Sequence, residues 1–161
     1  MFGWLENTQL SAAMRSELWG WPLVLSIHAL GTALVIGFIF IIGLRLLGLF
    51  PLLPYSSLNR LFPVIWVAIA VQFLSGFLLW MTKPDQYVAD GAFVLKFSLV
   101  ILGMILTLFF SRTIGREAGS WEAKRATSSR GLQFVAATLV VWCGVLIASR
   151  LIAHLGSISF G

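Results

Sequence analysis

The sequence predicts an all-α integral membrane protein, a four-helix bundle with a short N-terminal interfacial amphipathic helix. Of its 161 residues 59% are hydrophobic and only 11% are charged, whereas a soluble domain has about 25% charged residues. The apolar residues form long continuous runs and do not alternate as they would in the strands of a membrane β-barrel. Since about 20 apolar residues in a helix cross the hydrocarbon core of a bilayer, each run is long enough to span it.

The composition also excludes some classes of protein. The net charge of +5 does not indicate nucleic-acid binding, because the basic residues flank the apolar runs, as in membrane proteins generally. A single cysteine, Cys143, lies within an apolar run. It cannot form an intrachain disulfide and is interpreted as a small packing residue.

The N-terminal segment predicts an amphipathic helix, over residues 8–20, that lies in the membrane interface. Leu10, Met14 and Leu18 recur every four residues and would share one face of the helix. Tryptophans on both sides of this segment are typical of interface anchors. Ser11 has the side-chain chemistry of an N-cap.

Four apolar runs predict the spanning helices. Their approximate limits are 22–47, 61–81, 92–114 and 131–155. Pro22 and Pro63 stand in the first turns of the first and second helices, where no backbone N–H donor is needed. Gly48 ends the first helix, and the polar segment 112–130 predicts a loop between the third and fourth. We expect a single domain that covers residues 1–161.

The loops predict how the bundle is oriented. Two connections, between the first and second spans and between the third and fourth, carry most of the positive charge. The basic residues on them are Arg45, Arg60, Arg112, Arg116, Lys124, Arg125 and Arg130. Because loops rich in Lys and Arg stay in the cytoplasm, we expect the bacterial inner membrane, with both termini and the 83–91 loop on the periplasmic side.

His28 is the first candidate site residue, because an ionisable group inside a membrane span is costly and is a functional hypothesis by default. It lies inside the first apolar run, and helical spacing puts Gly31 and Thr32 on the same face. Since Gly31 has no side chain, we expect room beside the imidazole for a flat, bulky group. Thr32 offers a hydroxyl for a hydrogen bond. Because an imidazole without a partner in hydrocarbon loses its hydrogen bonds, we expect His28 to face the interior of the bundle.

Lys96, Arg150 and His154 are the other candidates. Counted from the basic loops, all three and His28 fall in the opposite half of the membrane, and no acidic residue lies within any span. The unpaired cations suggest an anionic cofactor. Haem b fits, with His28 and His154 as iron ligands and with Lys96 and Arg150 on the propionates. A quinone would also fit near hydrogen-bond donors such as Thr32.

Less specific interpretations account for the same residues. His28 could be a packing residue bonded to neighbouring backbone, and His154 could merely contact lipid headgroups. Lys96 and Arg150 could extend their charged ends to water or to lipid phosphate, as is usual near helix ends. These alternatives stay open at the level of sequence.

Short motifs in the first and third spans resemble a group of small, largely uncharacterised bacterial membrane proteins. The motif residues are Trp21, Pro22, His28, Gly31, the run Arg45-Leu46-Leu47-Gly48 and the run Phe93-Val94-Leu95-Lys96. In layout that group is similar to the HemJ-type protoporphyrinogen oxidases and to copper-resistance D-type membrane proteins. The resemblance implies a helical bundle in which a histidine of the first helix and a lysine of the third lie near a porphyrin.

Three functional hypotheses follow. The first is a haem-b-binding subunit that transfers electrons, with quinol as a candidate donor, within a larger membrane complex. The second is a porphyrin-oxidising enzyme like HemJ. The third is an accessory subunit without a cofactor that packs against larger partners. In each case the expected partners are the lipid bilayer and either other membrane subunits or further copies of the chain.

Overall fold

The computed structural model describes residues 2–124 and 126–158, with side chains described as far as Leu151. The described residues form helices and no strands. In order these are α1 (Gly3–Glu6), α2 (Gln9–Ser16), α3 (Gly20–Leu46), α4 (Tyr55–Leu58), α5 (Phe62–Trp80), α6 (Pro84–Ala89), α7 (Gly91–Lys124) and α8 (Ser129–Ile158). A 3₁₀ turn, Asn59–Leu61, joins α4 to α5.

Four helical segments are long and apolar enough to cross a membrane, and the second of them combines α4, the 3₁₀ turn and α5. They are Gly20–Leu46, Tyr55–Trp80, Gly91–Lys124 and Ser129–Leu151. The predicted all-α membrane bundle is therefore confirmed, and the expected contact with a lipid bilayer follows from the apolar surfaces that these helices expose.

The third span differs most from the prediction. The sequence predicts a loop over the polar segment 112–130, but α7 continues through it to Lys124. The extension is helical because Ile114, Ala118 and Trp121 recur at helical spacing and are buried. The polarity of the whole segment hides this stripe, since charged residues occupy the other faces of the helix.

The N-terminal helix is shorter than predicted and is held by the protein itself. α2 is capped by the Thr8 hydroxyl, which accepts from the Ser11 backbone N–H, so Ser11 is not the cap. The buried Ser11 hydroxyl instead donates to the Met81 carbonyl at 3.4 Å, and Arg15 donates to the Thr82 carbonyl at 3.0 Å. The segment after α5 is thereby covered by α2.

The apolar face expected for a helix over residues 8–20 divides between two environments. Met14 is buried against the protein, whereas Leu10 and Leu18 are exposed.

The sequence predicts a loop over 83–91, but α6 occupies most of this segment. Both α2 and α6 lie at the end of the bundle where α5 ends and α7 begins.

The core lies where α3 packs against α5 and α8, and where α8 packs against α7. Small residues allow close approach: a Cβ on Gly103 would lie 3.0 Å from the Trp142 ring. The Trp142 indole N–H donates to the Thr107 hydroxyl at 3.2 Å, and both residues are fully buried. This pair fixes α7 against α8.

The two basic connections meet at the other end of the bundle. The Thr127 hydroxyl donates to the Leu46 carbonyl at 3.0 Å, and it lies 3.3 Å from the Tyr55 hydroxyl. The guanidinium of the buried Arg45 stacks on the Tyr55 ring, 3.9 Å from its centroid, and its Nε donates to the Leu53 carbonyl. These contacts bring both connections to one end, as the positions of the spans predict.

Candidate functional site

His28 lies on α3, about two turns from its beginning, with its ring against α5. The ring Nδ1 lies 3.1 Å from the Gln72 carbonyl oxygen and 3.0 Å from the Ser75 hydroxyl oxygen. A Cβ on Gly76 would lie only 3.1 Å from His28 Cε1, so the absent side chain makes room for the imidazole. The prediction that His28 faces the interior of the bundle is confirmed.

The contacts of Nδ1 assign the tautomer of His28. A carbonyl oxygen can only accept, so Nδ1 must carry the proton that is donated to Gln72. Because the Ser75 hydroxyl donates its own hydrogen to the Val71 carbonyl at 2.7 Å, its oxygen can only accept a hydrogen bond from Nδ1. In the neutral imidazole the lone pair is then on Nε2, which points away from α5.

The Nε2 lone pair faces Lys96 of α7. Lys96 Nζ lies 3.5 Å from His28 Nε2, a long contact in which the ammonium is the donor. Both side chains are half-buried. Among the residues that the structure describes, no acidic side chain forms an ion pair with Lys96. The site therefore contains a cation whose polar partner is an uncharged ring.

Thr32 and Gln72 extend this polar cluster toward the core. The Thr32 hydroxyl lies 2.7 Å from Gln72 Oε1, to which it donates, and 3.0 Å from the His28 carbonyl. A Cβ on Gly31 would lie 3.2 Å from Gln72 Oε1. The expectation of open room beside Gly31 is therefore wrong, because the Gln72 side chain fills that space and couples α3 to α5.

The structure does not bring Arg150 to this cluster. Arg150 is exposed, on the face of α8 that carries Leu146 and Ile147, whereas Val145 and Ala148 mark the buried face. Within the described part of the chain, no hydrogen bond or ion pair joins Arg150 to His28 or Lys96. The side chain of His154 lies outside the described residues.

The spacing of polar and small residues along α5 could have revealed part of the cluster from the sequence. Gln72, Ser75 and Gly76 have helical spacing on the otherwise apolar α5, and such a stripe of polar and small residues indicates a helix-packing face. The sequence did not show that this stripe lies opposite His28. That pairing depends on which helices are neighbours.

The cluster holds one nitrogen that can coordinate a metal. Over residues 2–124 and 126–151, no group of three or more His, Cys, Asp and Glu side chains comes together as a metal site. In the tautomer assigned from these contacts, His28 Nε2 carries the lone pair that a metal ligand requires, and Lys96 can neutralise an anion. These two side chains could hold a haem, with His28 at the iron and Lys96 at a propionate.

The chain was compared with protein-family models, with curated proteins and with solved structures. None of the three comparisons found a match. The family resemblance of the motifs in the first and third spans therefore stays a prediction.

Proposed function

We propose that this protein is a haem-b-binding subunit that transfers electrons, with quinol as the donor, within a larger complex of the bacterial inner membrane. The observation that supports the proposal is the orientation of His28. Its Nδ1 is bonded to the Gln72 carbonyl, which leaves the Nε2 lone pair pointing away from α5. Metal-bound histidines commonly donate their second nitrogen to a carbonyl in this way.

Lys96 supplies the charge that a haem would require. Haem b carries two propionates, and a lysine ammonium can hold one of them by a charge-assisted hydrogen bond. An anion beside Lys96 would also compensate a cation that meets no acidic side chain in the described structure. When bound, the haem would supply the one-electron chemistry; the chain would supply its ligand, its charge balance and an apolar surrounding.

A second histidine that would hold the haem, and the orientation of the chain in the membrane, belong to the same proposal. His154 is the other histidine of the chain, and we propose it as the second ligand. We further propose that both termini lie on the periplasmic side, because the basic connections at the opposite end of the bundle are typical of cytoplasmic loops.

Two observations favour the alternatives. Both ring nitrogens of His28 have partners within the chain, as an accessory subunit without a cofactor would need. The contact between His28 and Lys96 also joins the two residues that the HemJ resemblance implies to lie near a porphyrin. The same experiment distinguishes all three functions.

The test is a reduced-minus-oxidised absorption spectrum of the protein purified in mild detergent from cells supplied with a haem precursor. Under the proposal the wild type shows a sharp low-spin spectrum with about one haem per chain. His28→Ala should lose it, and Lys96→Met should retain less haem with unchanged band positions. His154→Ala should give a five-coordinate, high-spin spectrum.

Ser75→Ala is the matched control, since it removes one acceptor near Nδ1 but leaves the Gln72 carbonyl in place. It should keep the spectrum. An intact low-spin spectrum in His28→Ala would overturn the ligand assignment. A folded wild type without haem would favour the accessory subunit, and turnover of protoporphyrinogen would favour the enzyme.

A further inference from the structure

A second polar feature lies at the opposite end of the bundle from His28. An open groove of about 380 Å³ separates the beginning of α5 from α7. We name it the Arg112 groove; it is lined by Asn59, Phe62, Pro63 and Trp66 on one side and by Ser111, Arg112 and Gly115 on the other. It shares no residue with the His28 cluster, and its function does not depend on haem.

The groove is polar at one end and apolar along its wall. Arg112 is the first charged residue after Lys96 on α7, and Asn59 comes just before the apolar run of α5, so both mark the boundary of the apolar layer. Phe62 and Trp66 stand one turn apart on α5 and continue the wall into that layer. A ligand of the groove must therefore have a polar head and an apolar body.

The charge at the polar end is positive and uncompensated. Arg112 is exposed and has no hydrogen bond or ion pair to any residue that the structure describes. The acidic residues near this end have other partners. Glu117 accepts hydrogen bonds from the Trp121 indole N–H and the Ser128 hydroxyl. Glu122 accepts a hydrogen bond from the Ser56 backbone N–H. The guanidinium is thus available to an anion.

Glycine keeps the α7 side of the groove open. A Cβ on Gly115 would meet only the Asn59 side chain, at 3.9 Å, which is ordinary contact distance. The backbone here does not need glycine for its conformation, since α7 is regular throughout. A larger side chain at this position would extend into the groove and would not disturb the core.

We propose that the Arg112 groove binds one anionic phospholipid. The phosphate is held by the Arg112 guanidinium and the Asn59 amide, and an acyl chain lies along Phe62 and Trp66. Arginine pairs with phosphate through two parallel N–H donors, and the apolar wall selects a lipid over free phosphate. A quinone would fill the wall but leave Arg112 without an anion.

The test uses the full-length protein, stripped of lipid in detergent and titrated with phosphatidylglycerol or phosphatidylcholine of the same acyl chains. Native mass spectrometry counts the lipids bound to each chain. We expect one phosphatidylglycerol, bound about tenfold more tightly than phosphatidylcholine, because the choline ammonium offsets the phosphate charge that the Arg112 guanidinium attracts. Inorganic phosphate should not displace it.

Two variants and two controls locate the site. Arg112→Met should abolish the preference for phosphatidylglycerol over phosphatidylcholine, and Gly115→Leu should exclude both lipids. Arg116→Met removes the same charge one turn further along α7, outside the groove, and Gly119→Leu adds the same side chain at an exposed glycine with nothing within 4 Å. Both controls should bind as the wild type does.

Each contrary outcome overturns the proposal. Equal losses in Arg112→Met and Arg116→Met would mean general attraction of the basic end for anionic lipid. Retention of the lipid by Gly115→Leu would place it elsewhere. Displacement by inorganic phosphate would identify a phosphate site, and preferential retention of an added quinone would identify a quinone site.

Discussion

The close contact between the His28 ring and Gly76 predicts a strong coupling between these two residues. In Gly76→Ala the new methyl carbon would lie 3.1 Å from His28 Cε1 and 3.5 Å from Nδ1. Carbon atoms prefer a separation of about 3.5–4.0 Å. The ring cannot withdraw freely, because Nδ1 is bonded to the Gln72 carbonyl and the Ser75 hydroxyl on the same helix.

Two destabilising effects and one stabilising effect determine how Gly76→Ala changes the free energy of unfolding. Inserting a methyl group into a packed contact costs about 1–3 kcal/mol, and the loss of one hydrogen bond from the ring would add about 0.5–1.5 kcal/mol. Replacing glycine by alanine within a helix gains at most about 1 kcal/mol. The net effect of Gly76→Ala is therefore destabilising. In a His28→Ala background the clash is gone and the same change should be neutral or stabilising.

The measurement is a double-mutant cycle on the free energy of unfolding, by reversible denaturation with SDS in mixed micelles. We expect a coupling energy of about 1–3 kcal/mol between the two changes. Gly37→Ala is the matched control, since Gly37 lies within α3 and a Cβ added there would have nothing within 4 Å. An equal cost of Gly76→Ala in both backgrounds would refute the position assigned to the ring.

Two further predictions concern the core and the orientation. Thr107→Val should lower the free energy of unfolding by about 1–3 kcal/mol, because the Trp142 indole N–H then stays buried without an acceptor; unfolding in SDS measures this, and an unchanged stability would contradict the bond. In a Cys143→Ala background, single cysteines at Gln86 and Ser128 should react with an impermeant thiol reagent from opposite faces of the membrane, Gln86 from the periplasm. Reaction of both from one face would contradict the four-span topology.

The sequence predicted the features that depend on one helix at a time. Four continuous apolar runs determine four spans, because a backbone in lipid must satisfy its own hydrogen bonds. The inward orientation of His28 also follows from one residue, since an imidazole exposed to hydrocarbon would lose its partners. Both predictions needed only local composition and the cost of burying polar groups.

Features that depend on two helices were predicted poorly. The sequence predicts room beside Gly31 for a flat group, but the Gln72 side chain of a neighbouring helix fills that space. Arg150 was placed at the site by its depth, whereas the rotation of α8 turns it outward. Depth follows from counting residues along one helix, but which faces meet is decided by packing between helices.

The charge of Lys96 is what connects the fold to the proposed function. A lysine ammonium inside an apolar bundle costs free energy unless an anion or water compensates it. In the described structure its polar contact is His28 Nε2, which accepts a hydrogen bond but carries no negative charge. A haem propionate would provide the missing charge and would release Nε2 for the iron. The two residues that satisfy one another without a cofactor are thus the same two that would bind one, and this is why Lys96→Met and His28→Ala are expected to alter haem retention in different ways.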